Sequence, residues 1–222
     1  VNSGWTITKR NTHADIEYVD QNPIRLVVNY FSEVILIETI AVPLASIAGV
    51  NLLSPFMQNR ANDFHNSMRW LRDVPDIPGP TFTFSHILKP HQPFLFDRDG
   101  NLRPDPQINP REEYDTQLYI DQLVYVNQTV DGVVGDILER SDPEPIIIIQ
   151  GDHGPPYSGP TSDRLEHAPR YLLERSAIFH AYYFPEYCRS SLYPAITPVN
   201  IFRVALNACL GASFNRLPDE PA

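Results

Sequence analysis

Apolar residues along this chain change their period from one segment to the next, and each period predicts an element. Residues 114–140 place Leu118, Leu123, Val126, Val130, Val133, Val134, Ile137 and Leu138 at helical spacing, which predicts one long amphipathic helix. Ser141, Asp142 and Pro143 stop it. Residues 146–150, IIIIQ, are too short for a helix and apolar on both faces. That pattern predicts a central parallel strand covered by helices on each side. Residues 81–88, TFTFSHIL, alternate aromatic and polar positions as a strand does, and residues 176–185, SAIFHAYYFP, supply a third strand. Strand, long helix and strand in that order form a right-handed crossover unit.

Elsewhere the pattern is helical. Residues 25–48 are densely apolar, interrupted by Glu33 and Glu38, and suit a partly buried helix broken near Pro43. Residues 64–71, FHNSMRWL, predict another helical turn or two, ended by DVPDIPGP. Thr197 is placed to cap a last helix with Pro198 at its first position and Gly211 at its end, enclosing VNIFRVALNACL. The sum is an α/β fold, a largely parallel central sheet flanked by helices, in a single domain over residues 1–222.

Composition narrows the function. The 22 prolines are about twice the usual share and cluster over 73–80, 89–93, 103–110, 142–145 and 154–160, which predicts long ordered loops between elements. Such loops are where function tends to sit. A formal charge of −10, with no basic run interleaved with aromatics, excludes nucleic acid as a partner. Residues 39–59 carry no charge over the length a bilayer helix needs, but Pro43, Gly49, Asn51 and Pro55 interrupt them, which favours a buried helix followed by a loop. The opening VNSGWTITKR has no apolar signal core and no initiator Met, so a fragment of a longer chain is expected. The two cysteines, Cys188 and Cys209, could pair in an exported domain, although free core thiols are the commoner case.

Two predicted strand ends are chemically loaded, and in parallel α/β sheets ligands bind beyond the carboxyl ends of strands. After IIIIQG come Asp152 and His153, flanked by Gly151 and Gly154. A carboxylate and an imidazole are good ligands for a divalent metal, and the glycines let the backbone aim both at one point. The plainer alternative is a strand terminus at which Asp152 caps the next turn and His153 hydrogen-bonds to it. After the strand over 81–88, SHILKPHQPF holds His86, Lys89 and His91. A cationic or proton-donating group there suits a tetrahedral anion and its leaving group. His91, on the loop, is the better candidate, and His86 reads as a hydrogen-bonded core residue. DRDGN over 97–101 reads as a plain turn rather than a calcium loop, with Gly at the fourth position instead of the sixth. His167 and His180 read as structural or surface residues. No Gly-rich phosphate loop, GxSxG elbow or CxxC pair is present.

The order FTFSHILKPHQPFLFDRDGN, a long helix with YIDQLVYVN, IIIIQGDHG, AIFHAYYFP and TPVNIFRVALN resembles the sulfatase-like members of the alkaline phosphatase superfamily. The nearest likeness is to the branch that includes lipoteichoic acid synthases and related membrane-anchored hydrolases or transferases. The opening SGWTITKRNTHADIEY resembles the stretch after the nucleophile region there, so the likeness covers nearly the whole chain. GDHG and KPHQPF are its most specific pieces. The resemblance implies that Asp152 and His153 are a late pair of metal ligands and that His91 contacts the sulfate or phosphate of the substrate. Lys89 would add charge at the same anion site. Many sulfatases have Asn where His153 stands; an imidazole favours manganese or zinc over calcium or magnesium, which prefer oxygen.

The chain also departs from that family. There is no CxPxR signature, and both cysteines follow the DHG motif. No early acidic ligand and no Ser, Thr or modified Cys nucleophile at a helix start is identified. The expectation is therefore the C-terminal part of a catalytic domain, beginning after the nucleophile and inactive alone. Its metal would be weakly held or absent, and it could self-associate through a face exposed by truncation. The whole protein would act outside the cytoplasm, anchored to a membrane by a segment outside this chain, on a small-molecule or glycan- or lipid-linked sulfate or phosphate ester. The competing expectation is a noncatalytic relative that keeps the fold as a binding or interaction module.

Overall fold

The computed structural model describes residues 13–18, 44, 47–48, 51–104, 115–155 and 168–219, and the chain divides into two compact units, Val1–Ile137 and Leu138–Ala222. The helix expected over 25–48 lies almost wholly outside the described residues.

In the first unit, helix α1 (Ser54–Arg72) buries Phe56, Met57, Ala61, Phe64 and Met68. It is longer than the turn or two expected over 64–71, because Phe56, Met57 and Ala61 continue the stripe of Phe64 and Met68 towards the N-terminus. Pro55 stands in its first turn, where an absent N–H removes no helical bond. Arg69 and Arg72 occupy the last turn, at the negative end of the helix dipole. No helix among the described residues is long and apolar enough to cross a membrane.

Helix α2 (Thr116–Arg140) follows the expected bounds closely. The Asp115 carboxylate starts it by accepting the N–H groups of Gln117 and Leu118 at 2.9 and 3.0 Å. Its fully buried line is Tyr119, Gln122, Val126 and Val133, so a polar amide sits among the core positions. Val126 and Val133 pack with Phe56, Phe64 and Met68 of α1 and with Leu95 and Phe96. Arg72 Nε donates to Asp136 Oδ2 at 2.6 Å, tying the two helices at the unit's surface. Residues 81–88 join no ladder, and Phe82 and Phe84 are exposed.

The second unit holds a strand pair of a direction the sequence did not indicate. Strand β1 (Ile147–Gln150) pairs antiparallel with β2 (His180–Tyr183), Ile147 opposite Tyr183 and Gln150 opposite His180. This ribbon is the only sheet among the described residues, and a largely parallel sheet is not built by them. Helix α3 (Ala168–Ser176) returns the chain to the end of β1 that it left. Gly154 N–H donates to Arg175 O at 2.8 Å and Gly151 N–H to Phe179 O at 2.9 Å. The chain thus re-enters beside the strand's carboxyl end and can only run back along it.

One face of the ribbon, with Ile146, Ile148 and Tyr182, packs on a core of Phe184, Cys188, Ile196, Ile201, Val204 and Ala205. The last three belong to helix α5 (Pro198–Leu210), which follows the short helix α4 (Glu186–Arg189). Gly211 ends α5 as expected, left-handed at φ 72°. Thr197 occupies the N-cap position, but its side chain makes no cap bond. Its hydroxyl donates instead to Asp219 Oδ1 at 2.6 Å. Hydrogen bonds from Thr197 and Tyr193 hold the Asp219 carboxyl well below the usual carboxylate range.

Cys188 and Cys209 form a disulfide between α4 and α5, Cα atoms 5.3 Å apart. The sequence left the pairing open, with free core thiols the commoner case, and the two cysteines are bridged. The bridge spans a sequence separation of 21, for which loop-closure entropy gives about 3 kcal/mol. Replacing both cysteines by serine is expected to lower the urea midpoint by the equivalent of about 3 kcal/mol with the slope unchanged; an unaltered midpoint would show that the bridge does not constrain the unfolded chain.

Candidate functional site

The turn that follows β1 is built around His153. Its Nδ1 lies 3.1 Å from Gly154 O. A carbonyl can only accept, so Nδ1 carries the proton and Nε2 is the nitrogen left to take a metal or a second proton. Asp152 Oδ1 accepts the His153 backbone N–H at 3.0 Å, and Asp152 Oδ2 lies 3.4 Å from His153 Nε2. Two lone-pair donors at this separation suit a shared cation. Tetrahedral zinc with ligand distances of about 2.0–2.1 Å separates neighbouring donors by about 3.3–3.4 Å. The two donors are thus spaced as neighbouring ligands of one ion would be, and the Gly154 carbonyl fixes the imidazole tautomer. Asp152 is nearly fully exposed, with its side chain at 88%, and His153 is 40% exposed. Among the described residues, no group of three or more His, Cys, Asp or Glu side chains is gathered as a metal would require.

The two glycines of this turn have different physical reasons. Gly154 is pressed against the C-terminal end of α3. A Cβ there would overlap Glu174 O and meet Ala177 O at 3.0 Å, and both are backbone atoms. Arg175 Nη1 donates to Gly154 O at 3.0 Å, so the carbonyl that orients His153 is itself held from α3. Gly151 has its nearest neighbours at 3.8 Å or beyond, room enough for a methyl group.

In the first unit, Lys89 and His91 lie on a loop with cis peptide bonds at Lys89–Pro90 and Gln92–Pro93. His91 repeats the device of His153: its Nδ1 donates to the carbonyl of the next residue, Gln92 O, at 2.7 Å. That leaves Nε2 for an anion or a proton, on a side chain exposed to solvent. Lys89 Nζ donates to Pro93 O at 2.9 Å, so its ammonium closes the loop as well as charging it. Asp152 and His153 belong to the second unit, so each pair is brought together within its own unit.

Behind the His91 loop stands Gln122, which sequence patterning did not single out. It is wholly buried on α2. Its Nε2 donates to Pro90 O at 2.9 Å and to His91 O at 3.2 Å. Its Oε1 accepts Leu95 N–H at 2.8 Å and Phe96 N–H at 3.3 Å. The signal available in the sequence was a polar residue in register with Tyr119, Val126 and Val133 on the stripe that faces the core.

The remaining candidates are structural. Asp97 takes the N–H groups of Asp99 and Asn101, both at 2.9 Å, on one oxygen and the Asn101 amide at 3.0 Å on the other. DRDGN is thus a side-chain-closed turn, as expected. The hydrogen bond from the Asn101 side chain leads the causes that lower the Asp97 pKa. His86 is half-buried, and His180 is exposed and stacked on Tyr182 with ring centroids 5.4 Å apart. His167 lies outside the described residues. His65, which sequence reading passed over, meets Tyr125 OH at 3.1 Å among the rings of Phe64 and Phe96, and burial lowers its pKa.

No protein-family model, no curated protein and no solved structure matches the chain.

Gln122→Ala strands the buried N–H group of Phe96, leaves that of Leu95 with Pro93 O alone, and removes donors from the carbonyls of Pro90 and His91. It is expected to cost about 3 kcal/mol or more in chemical denaturation, whereas an exposed-site change such as Gln117→Ala costs less than about 1 kcal/mol. Gly154→Ala is expected to lower the melting temperature by several degrees and Gly151→Ala to leave it nearly unchanged. Equal melting temperatures for the two glycine variants would contradict the packing of Gly154 on α3.

Proposed function

We propose that this chain contributes to a metal-dependent hydrolase or transferase of sulfate or phosphate esters, in the sulfatase-like manner its motifs suggest. The observation that carries this reading is the Asp152–His153 pair: two donors 3.4 Å apart, with the imidazole tautomer fixed by Gly154 O. Asp152 and His153 would hold the ion, with zinc or manganese favoured by the imidazole. When bound, such an ion lowers the energy of an attacking oxygen and of a nonbridging oxygen on the transferring group.

The chain's own residues have separable roles in this reading. His91, with its Nδ1 committed to Gln92 O, would present Nε2 to the sulfuryl or phosphoryl group, or pass a proton to the leaving oxygen as its bond to sulfur or phosphorus breaks. Lys89 would add positive charge to the same loop. The attacking hydroxyl and the remaining ligands would come from outside the described residues. In an alkaline-phosphatase-like arrangement, further strands would extend the sheet that begins with β1. The Cys188–Cys209 bridge supports placement outside the cytoplasm, since disulfides persist in oxidising compartments.

A second reading is favoured by one observation. Asp152 Oδ1 accepts the N–H of His153, so the pair also works as a self-contained strand-end turn in a noncatalytic binding module. Calorimetric titration with zinc and with manganese separates the two. Under the first reading, binding is weak and falls at least about tenfold in both Asp152→Ala and His153→Ala, and aryl phosphate or aryl sulfate hydrolysis by the longest natural form of the protein falls with it. Unchanged metal affinity in both variants would refute the metal assignment and leave the pair as a strand-end turn.

A further inference from the structure

Two acceptors compete for the single proton of a neutral His153 ring. Gly154 O takes it on Nδ1 at 3.1 Å, while the Asp152 carboxylate, 3.4 Å from Nε2, draws it to the opposite nitrogen. A neutral histidine free in water already prefers its proton on Nε2. A ring with Nε2 bare, and so able to take a metal, therefore depends on how firmly the Gly154 carbonyl is held against Nδ1.

Packing makes that carbonyl hard to hold. A Cβ on Gly154 would overlap Glu174 O and meet Ala177 O at 3.0 Å, so only glycine lies this close to the end of α3. Without a Cβ, glycine leaves the peptide plane that follows it freer to turn than any other residue would. The bond from Gly154 N–H to Arg175 O at 2.8 Å anchors the residue on the other side of its Cα and does not fix its carbonyl. Arg175 Nη1, which donates to Gly154 O at 3.0 Å, does. Arg175 thus grips both main-chain groups of one glycine, its own carbonyl on the N–H and its guanidinium on the C=O. The carbonyl oxygen has two lone pairs, one for Nη1 and one for His153 Nδ1–H.

Arg175 stands in the last turn of α3, where any positive charge suits the helix dipole. That role asks only for charge near the helix end and would leave the guanidinium free in water. No carboxylate pairs with Arg175 among the described residues, and Gly154 O is its one side-chain hydrogen-bond partner there. We propose that Arg175 is the positioning residue of the Asp152–His153 pair. By holding the Gly154 carbonyl on Nδ1 against the pull of Asp152, it keeps Nε2 unprotonated and open to a divalent cation. The use made of Nε2 rests on the metal-dependent reading above, whereas the hold on the tautomer does not.

The test compares Arg175→Met, which keeps the apolar stem and loses every donor, with Arg175→Lys, which keeps a donor and the charge. Neither removes the main-chain carbonyl that anchors Gly154, and circular dichroism with the intact disulfide checks the fold. In metal-free proteins labelled with nitrogen-15 at histidine, long-range proton–nitrogen correlation at about pH 9, where imidazoles are neutral, reads the tautomer of each ring. His153→Gln identifies the His153 signals. The wild type and Arg175→Lys are expected to carry the proton on Nδ1, and Arg175→Met mainly on Nε2. Arg175→Met/Asp152→Ala is expected to recover part of the Nδ1 form, because the competing acceptor is gone. A wild-type ring with its proton on Nε2, or an unchanged ring in Arg175→Met, overturns the proposal; a charge-only role at the helix end moves the melting temperature and not the tautomer.

Zinc titration at about pH 7.5 gives the second readout. Only the ring with Nε2 bare binds, so the apparent affinity is expected to fall in proportion to that form, about threefold to tenfold in Arg175→Met. Equal zinc affinity across shifted tautomers overturns the link from Arg175 to the metal. Zinc bound by neither protein, with the tautomer shifted as expected, refutes the metal-dependent reading and supports the hold of Arg175 on His153.

Discussion

Phe94, Leu95 and Phe96 are fully buried and belong to no helix or strand. Phe96 makes one isolated antiparallel bridge with Leu102; its N–H has no backbone partner among the described residues, and the Leu95 N–H has only Pro93 O at 3.0 Å. A buried backbone group without a partner costs as much as a lost hydrogen bond. Gln122 removes that cost, accepting both amide protons on one oxygen, and uses its nitrogen to hold Pro90 and His91. Arg103 completes the other side, donating its backbone N–H to Leu95 O at 2.8 Å and Nε to Phe96 O at 3.2 Å. Arg103 is in turn held by Asp121 at 2.7 Å, the residue next to Gln122. Burial raises the Asp121 pKa, but hydrogen bonds from Gln117 and Arg103 outweigh it and lower it overall. The aromatic core of the first unit and the position of His91 thus rest on the same turn of α2.

The second unit meets the same constraint by the same means. Its irregular segment after Gly211 finds partners in Asn200, fully buried, and in Asn207. A side-chain amide presents N–H and C=O side by side at a spacing that mimics a peptide group, so it can stand in for a strand. Three such amides on two helices serve main-chain groups that no sheet edge reaches among the described residues, where the one sheet has two strands. Their geometry depends on helices that are themselves fixed by burial, and in α5 by the bridge to Cys209 as well.

Helix α2 was legible because its apolar stripe repeats over many turns, and α5 because Pro198 and Gly211 punctuate it. The length of α1 was less so, since Ser54 to Asp63 mixes polar residues into the stripe. The pairing of β1 was not legible at all: four isoleucines specify burial but carry no direction, and direction came from where α3 set the chain down beside Gly151 and Gly154. Asp152 and His153 were marked by residue type, whereas Gln122, Asn200 and Asn207 look like ordinary polar positions until the backbone they serve is seen. Thr197 shows the reverse case. Its place before Pro198 was read correctly, but a carboxylate 22 residues later offered its hydroxyl a stronger, charge-assisted bond than the helix amides did.

His91 and His153 share a feature that neither motif would reveal alone. In each, Nδ1 is bound to the carbonyl of the following residue, and in each the segment around that residue is held from another element. Gly154 is pinned to α3 through Arg175, and Gln122 holds the loop before Gln92 through the carbonyls of Pro90 and His91. A surface imidazole usually samples several rotamers and both tautomers. Two exposed imidazoles with the same nitrogen engaged, each next to a residue the fold constrains, have lost much of that freedom in the folded chain before any ligand arrives. That is the arrangement a ligand or proton-transfer group requires. It is on this shared geometry, rather than on the residue types alone, that the roles proposed for His91 and His153 rest.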